Sequence, residues 1–151
     1  MRGSSVYMRC ASCRTVNSVA VQKIGDEPKC GRCGSFLAFP RGPVEIRDAT
    51  FHAEITDWPG VSLVFFWAPW CAHCRSMIPS INEIAREKAG MLKVGMINTE
   101  KEVLLARKFD VLSVPRLMLF QGSRVIAEVN GAMRKDQIEG WAAGFFRSNS
   151  G

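Results

Sequence analysis

Apolar positions are spaced differently in the two parts of this 151-residue chain. From Val44 onward, apolar runs alternate with stretches of helical period. VEI (44–46) predicts a short strand, and ATFHAEI (49–55) a short helix ended before Trp58-Pro59-Gly60. VSLVFFW (61–67) is apolar almost throughout, as in a central strand buried on both faces. After it the period changes. Met77, Ile81, Ile84, Ala85 and the stem of Lys88 predict one helix over 71–89, with a kink expected at Pro79. MLKVGMIN (91–98) predicts a strand and EKEVLLARKF (100–109) a helix. RLMLF (116–120) and RVIAEVN (124–130), on either side of QGS, predict a hairpin. Ile138, Trp141, Ala142 and Phe145 fall at i, i+3, i+4 and i+7 and predict an amphipathic last helix. The order βαβαβαββα implies an α/β fold, a central mixed sheet with helices on both faces.

Residues 1–39 have no sustained period. They carry cysteines and polar residues, and Pro40, Gly42 and Pro43 set them off as a separate module behind a linker at 40–43. The main domain is expected over 44–148, with 149–151 as a frayed tail. Composition is that of a globular chain, 47% hydrophobic and 23% charged. The charge is uneven. Residues 1–43 hold seven Lys/Arg against Asp26 and Glu27, so most of the formal +6 belongs to the first module. The longest apolar run, Val61 to Ala68, is too short to span a bilayer, and no membrane partner is expected. The opening MRGSSVYMRC has no apolar core of an export signal, so the cytoplasm is the expected compartment.

All six cysteines occur in Cys-x-x-Cys pairs. Cys10/Cys13 and Cys30/Cys33 stand sixteen residues apart, the arrangement that supplies four thiolates to one tetrahedral ion. Gly31 and Gly34 suit the tight turns of such knuckles. One Zn²⁺ is the default occupant; iron suits the same sulfur set, and two disulfides are the reading without metal. Four thiolates leave no open position, so the site is expected to be structural. The module's apolar residues (Val16, Val19, Val21, Ile24, Phe36, Leu37, Phe39) are too few for an independent core, which makes the metal a folding element. Nucleic acid is disfavoured as a partner. The thiolates offset part of the basic charge, and Tyr7, Phe36 and Phe39 are the only candidates for base stacking.

Cys71 and Cys74 are placed differently, where a buried-type strand gives way to a helix. Free N–H groups and the helix dipole stabilise a thiolate at Cys71. Cys74, one turn later, is close enough to form a disulfide and more shielded. That asymmetry suits two-step exchange: Cys71 attacks a substrate disulfide, and Cys74 resolves the mixed disulfide. A metal site built on Cys71, His73 and Cys74 would lack an evident fourth ligand, since His52 lies on a different helix.

FFWAPWCAHCR, the proline five residues after Cys74, SVPRLMLF, the hairpin and NGAM together resemble a thioredoxin over residues 44–148. The N-terminal CASC…CGRCG and the INTE segment resemble the zinc-bearing thioredoxin 2 subgroup. The resemblance implies a thioredoxin fold with a small zinc-ribbon-like module. It implies a protein-disulfide reductase acting on protein disulfides and re-reduced by an NADPH-dependent thioredoxin reductase. It also implies nucleophile Cys71, resolving Cys74, Trp67 and Trp70 around them, and a cis bond between Val114 and Pro115. That bond would set the Val114 backbone where an extended substrate can pair with it, with Gly131 and Ala132 as another small-residue wall of the same groove. A monomer is expected.

Four features depart from the family pattern. Ala72-His73 stands between the cysteines where Gly-Pro is usual; a His there is seen in more oxidising disulfide oxidases. Phe65 replaces a buried Asp that helps deprotonate the resolving cysteine, and Met96 replaces its accompanying Lys. Arg116 follows the cis-proline where Thr is usual, and is expected to favour acidic substrates. The alternatives to a reductase are a disulfide oxidase or isomerase, and a redox-sensitive zinc-dependent binding protein or chaperone.

Overall fold

The structure, a computed structural model, describes residues 5–20, 23, 26–37, 40–58, 60–89 and 92–150, with side chains except at 6 and 146–150. Val21, Ile24, Ala38, Phe39, Pro59 and Met91 therefore lie outside the described residues, as do the ends of the chain.

Among the described residues, seven strands form two sheets. β1 (Ser5–Arg9) and β2 (Val16–Ala20) make an antiparallel hairpin in the first module. β3 (Val44–Glu45), β4 (Val61–Trp67), β5 (Lys93–Asn98), β6 (Arg116–Gln121) and β7 (Arg124–Asn130) make the main sheet. Its order is β3-β5-β4-β6-β7. β5 runs parallel to β3 and β4, whereas β6 and β7 are antiparallel to their neighbours. β4 is central, and its Leu63 to Phe66 have no exposed surface, as the continuous apolar run predicts.

Among the described residues, three α-helices cover the sheet: α1 (Ala72–Glu87), α2 (Val103–Lys108) and α3 (Lys135–Ser150). The short helix expected at 49–55 becomes a wider coil. The N–H of Asp57 reaches back five residues to His52 at 2.8 Å, and His52–Thr56 is a π-helix. α1 runs unbroken through Pro79. α3 continues to Ser150, through part of the stretch expected to be a tail.

Alternation along the strands sends side chains to two cores. Leu63, Phe65, Val94, Leu117 and Leu119 pack with Met77, Ile81 and Ile84 of α1 and Ile138 and Ala142 of α3. Val64, Phe66, Ile97, Met118 and Phe120 pack with Ile46, Phe51, Ile55 and Leu105 on the other face. Gly95 keeps the second face closed, because a Cβ there would drive into Ile46.

The first module was expected to be without period, yet it contains the β1–β2 hairpin and a bridge between Lys29 and Phe36. Its small core is Met8, Cys10, Val19, Cys30 and Leu37. Val16 and Phe36, counted as core candidates, are exposed. The module is fastened to the π-helix end: Arg9 Nε donates to the Asp57 carbonyl at 3.0 Å, and Arg14 Nη2 lies 3.2 Å from the Asp57 carboxylate.

Candidate redox centre and metal site

β4 ends at Trp67, and the chain turns through Ala68, Pro69 and Trp70 into α1. The turn is tied down from both sides. Thr99 donates its N–H to the Trp67 carbonyl at 2.9 Å, and Arg75 Nη1 donates to the Pro69 carbonyl at 2.6 Å. Cys71 is the N-cap of α1, and its sulfur accepts the N–H of Cys74 at 3.1 Å. A helix N-terminus therefore aims a donor at the sulfur where thiolate charge develops. Cys71 and Cys74 are joined as a disulfide, with Cα atoms 5.2 Å apart. Cys71 keeps 6% exposure and Cys74 none, so Cys71 is the more accessible of the two.

The Val114 carbonyl oxygen lies 3.8 Å from the Cys71 sulfur, and the Val114–Pro115 bond is cis. Gly131 donates its N–H to the Pro115 carbonyl at 3.0 Å, and Gly131 and Ala132 are exposed at this rim. Trp70 is 67% exposed beside Cys71. The structure thus gathers Trp70, Cys71, Cys74, Val114, Pro115 and Gly131 at one end of the sheet. His73 lies in the first turn of α1 and faces solvent. The guanidinium of Arg116 is turned along the sheet onto Glu128 and Asn130 of β7.

Cys74 sits among apolar side chains, including Phe65 and Met77. Phe65 and Met96 are direct partners across β4 and β5. Among the described residues, the buried polar or charged side chains are Ser62, Lys93 and Asn98, so none is a carboxylate. A buried charge does exist, but on the other face. Lys93 Nζ is 2.6 Å from a Glu54 carboxylate oxygen, 2.8 Å from the Glu54 carbonyl and 4.4 Å from the Trp58 ring centroid. This arrangement was not anticipated. The lone lysine within MLKVGMIN was its only signal.

The four remaining cysteines converge, with their sulfurs all within 4.8 Å of one another. Cys10 and Cys33 are 3.6 Å apart, as are Cys13 and Cys30. Tetrahedral zinc with bonds of about 2.3 Å would set its sulfurs about 3.8 Å apart, so the donor set fits. Each knuckle closes on its own backbone: Arg14 N–H to Cys10 O at 2.9 Å, and Gly34 N–H to Cys30 O at 3.0 Å. Arg14 and Gly34 both take positive φ. The N–H groups of Cys33 and Arg32 pull the Cys30 thiol down to about 6. Ser35 draws Cys33 down. At Cys10 the Cys13 N–H pulls the other way, but burial and the nearby sulfurs leave the thiol raised. Two depressed thiols suit a site that binds thiolates. No second cluster of potential metal ligands occurs among the described residues, and His52 instead faces Asp57 at 3.3 Å.

Comparison with known proteins agrees with this geometry. The family profile described as Thioredoxin matches residues 42–143, and the profile described as Thioredoxin 2, N-terminal matches residues 9–35. The chain is 31% identical to Thioredoxin C-3 of Corynebacterium nephridii over 132 residues, 87% of this chain and 90% of that one. It is 38% identical to Thioredoxin 1 of a Nostoc species over 94 residues, 62% of this chain and 88% of that one. It is also 36% identical, over 61% of its length, to 20% of the bifunctional thioredoxin reductase/thioredoxin of Mycobacterium leprae. A dithiol/disulfide pair on this fold makes the class a thiol–disulfide oxidoreductase. The chain belongs to the thioredoxin family, within the subgroup that carries an N-terminal four-cysteine ribbon.

Proposed function

We propose that the protein reduces protein disulfides in the cytoplasm, acting as a monomer. The observation that carries this reading is the asymmetry at the helix start, where Cys71 is the capped, accessible sulfur and Cys74 is sealed behind it. The Cys71 thiolate attacks one sulfur of a substrate disulfide; that S–S bond breaks and the first substrate thiol leaves. The Cys74 thiolate then attacks the Cys71 sulfur. The second substrate thiol leaves, and the Cys71–Cys74 disulfide forms. Substrate lies extended against Val114 and Pro115, between Trp70 and the Gly131–Ala132 rim.

The oxidised pair is returned to the dithiol by an NADPH-dependent thioredoxin reductase. The Mycobacterium leprae relative, whose name joins both activities in one chain, supports that donor. One Zn²⁺ is held by Cys10, Cys13, Cys30 and Cys33 and serves the ribbon's folding, because a closed sulfur set offers no place for substrate. An insulin-disulfide reduction assay tests the reading: wild type should precipitate the released chains and Cys71→Ser should not. Exposed His73 beside the nucleophile favours a second reading, a more oxidising pair running toward disulfide formation. Equilibration with glutathione buffers separates the two.

A further inference from the structure

Arg116 is the first residue of β6, immediately after Pro115, and its side chain is only 16% exposed. Nη1 donates to Asn130 Oδ1 at 3.0 Å, and Nη2 is paired with Glu128. Nε is buried with no hydrogen-bond partner. Leaving Nε unpaired is an expensive way to fill the position, and a pair whose Glu128 side is 48% exposed contributes little to stability. What the fork can do is fix register. β7 is an edge strand, and its pairing with β6 shifts between Leu119 and Phe120. On the groove side of that irregularity Arg116 pairs with Asn130. The next link is Gly131 N–H to Pro115 O. A slip of one residue would turn the other face of β7 toward the rim.

We propose that Arg116 is a positioning residue for the substrate groove. Its fork grips Glu128 and Asn130, holds β7 in register beyond the shift and so places the Gly131–Ala132 wall against Pro115. Glu128 cancels its charge, and the groove does not select substrates by charge despite a cation beside the cis-proline. This rests on the groove assignment above.

The test compares acidic and basic disulfide peptides of equal length, with dithiothreitol regeneration, together with amide exchange at Gly131. Wild type should turn over both peptides within about twofold of one another. Arg116→Thr should raise KM about fivefold for both, with kcat held, and speed exchange at Gly131. Arg116→Lys should not restore either property, because an ammonium cannot supply the fork. Glu128→Gln should unmask the cation and favour the acidic peptide about fivefold, an advantage that salt removes. A wild-type preference for the acidic peptide that Arg116→Thr abolishes would overturn the proposal, as would unchanged KM and Gly131 exchange in Arg116→Thr. Ala132→Trp tests the groove itself. If it leaves KM unchanged, the groove assignment fails; if it raises KM while Arg116→Thr changes nothing, the positioning role alone fails.

Discussion

Replacing Phe65 and Met96 together should restore to Cys74 a proton acceptor that the core lacks. Cys74 has no exposed surface and packs among apolar side chains, with no buried carboxylate among the described residues. To resolve the mixed disulfide it must lose a proton inside that cluster. Ionising a thiol there without a partner costs on the order of 3 kcal/mol more than in water, or about two tenfold losses of thiolate at fixed pH. The greater nucleophilicity of a more basic sulfur returns about one of those factors. Resolution should therefore run about tenfold slower than with an acceptor in place, relying on water or His73. Phe65 and Met96 are adjacent across two strands, so Phe65→Asp with Met96→Lys creates a pair in contact. Phe65→Asp alone leaves a buried charge uncompensated, at about 3–5 kcal/mol of stability.

The assay is stopped-flow release of a mixed disulfide at Cys71, followed across pH. Wild-type release should climb with pH through a single titration. The double variant should release faster and flatten the profile near neutrality. If it releases no faster at any pH, the missing carboxylate does not limit this enzyme.

Three further outcomes are expected. His73→Pro should lower the reduction potential, since a protonated imidazole in the first turn stabilises the Cys71 thiolate that exists only in the reduced state; each ~1.4 kcal/mol is about 30 mV, and an unchanged potential removes His73 from the mechanism. Cys30→Ser should lose metal and order in the ribbon while residues 44–148 keep reducing insulin; a folded main domain without turnover would contradict the division of labour. Asp57→Ala should leave metal content unchanged but speed proteolysis in the 40–43 linker about two- to fivefold, as expected for an exposed ion pair worth about 0.5–1 kcal/mol; equal cleavage would show that the Arg14–Asp57 pair does not hold the ribbon in place.

The main sheet was legible because its signals are local. VSLVFFW predicts β4 at its observed limits, and the change to helical period after Cys71 predicts α1 within two residues at its C-terminal end. The reactive cysteines could be read from position alone, since a strand giving way to a helix fixes where the N–H groups point. The β1–β2 hairpin was hidden because its order comes from two metal-ligand knuckles and a small core, of five residues among those described, not from a long periodic run. The Lys93–Glu54–Trp58 cluster joins residues far apart in the chain, and neither partner stands out in its own segment. Arg116 was visible as an unusual residue, but its direction depends on Glu128 and on a strand register that no local pattern fixes.

The central claim is that Cys71 attacks and Cys74 resolves. It is tested most directly by trapping the intermediate: Cys74→Ser is mixed with insulin, quenched with acid and mapped by mass spectrometry. Substrate should be found disulfide-linked to Cys71 in high yield, with Cys10, Cys13, Cys30 and Cys33 unmodified, and with no adduct when Cys71→Ser is added to Cys74→Ser. Substrate captured on a ribbon cysteine, or no adduct at Cys71, would contradict the account.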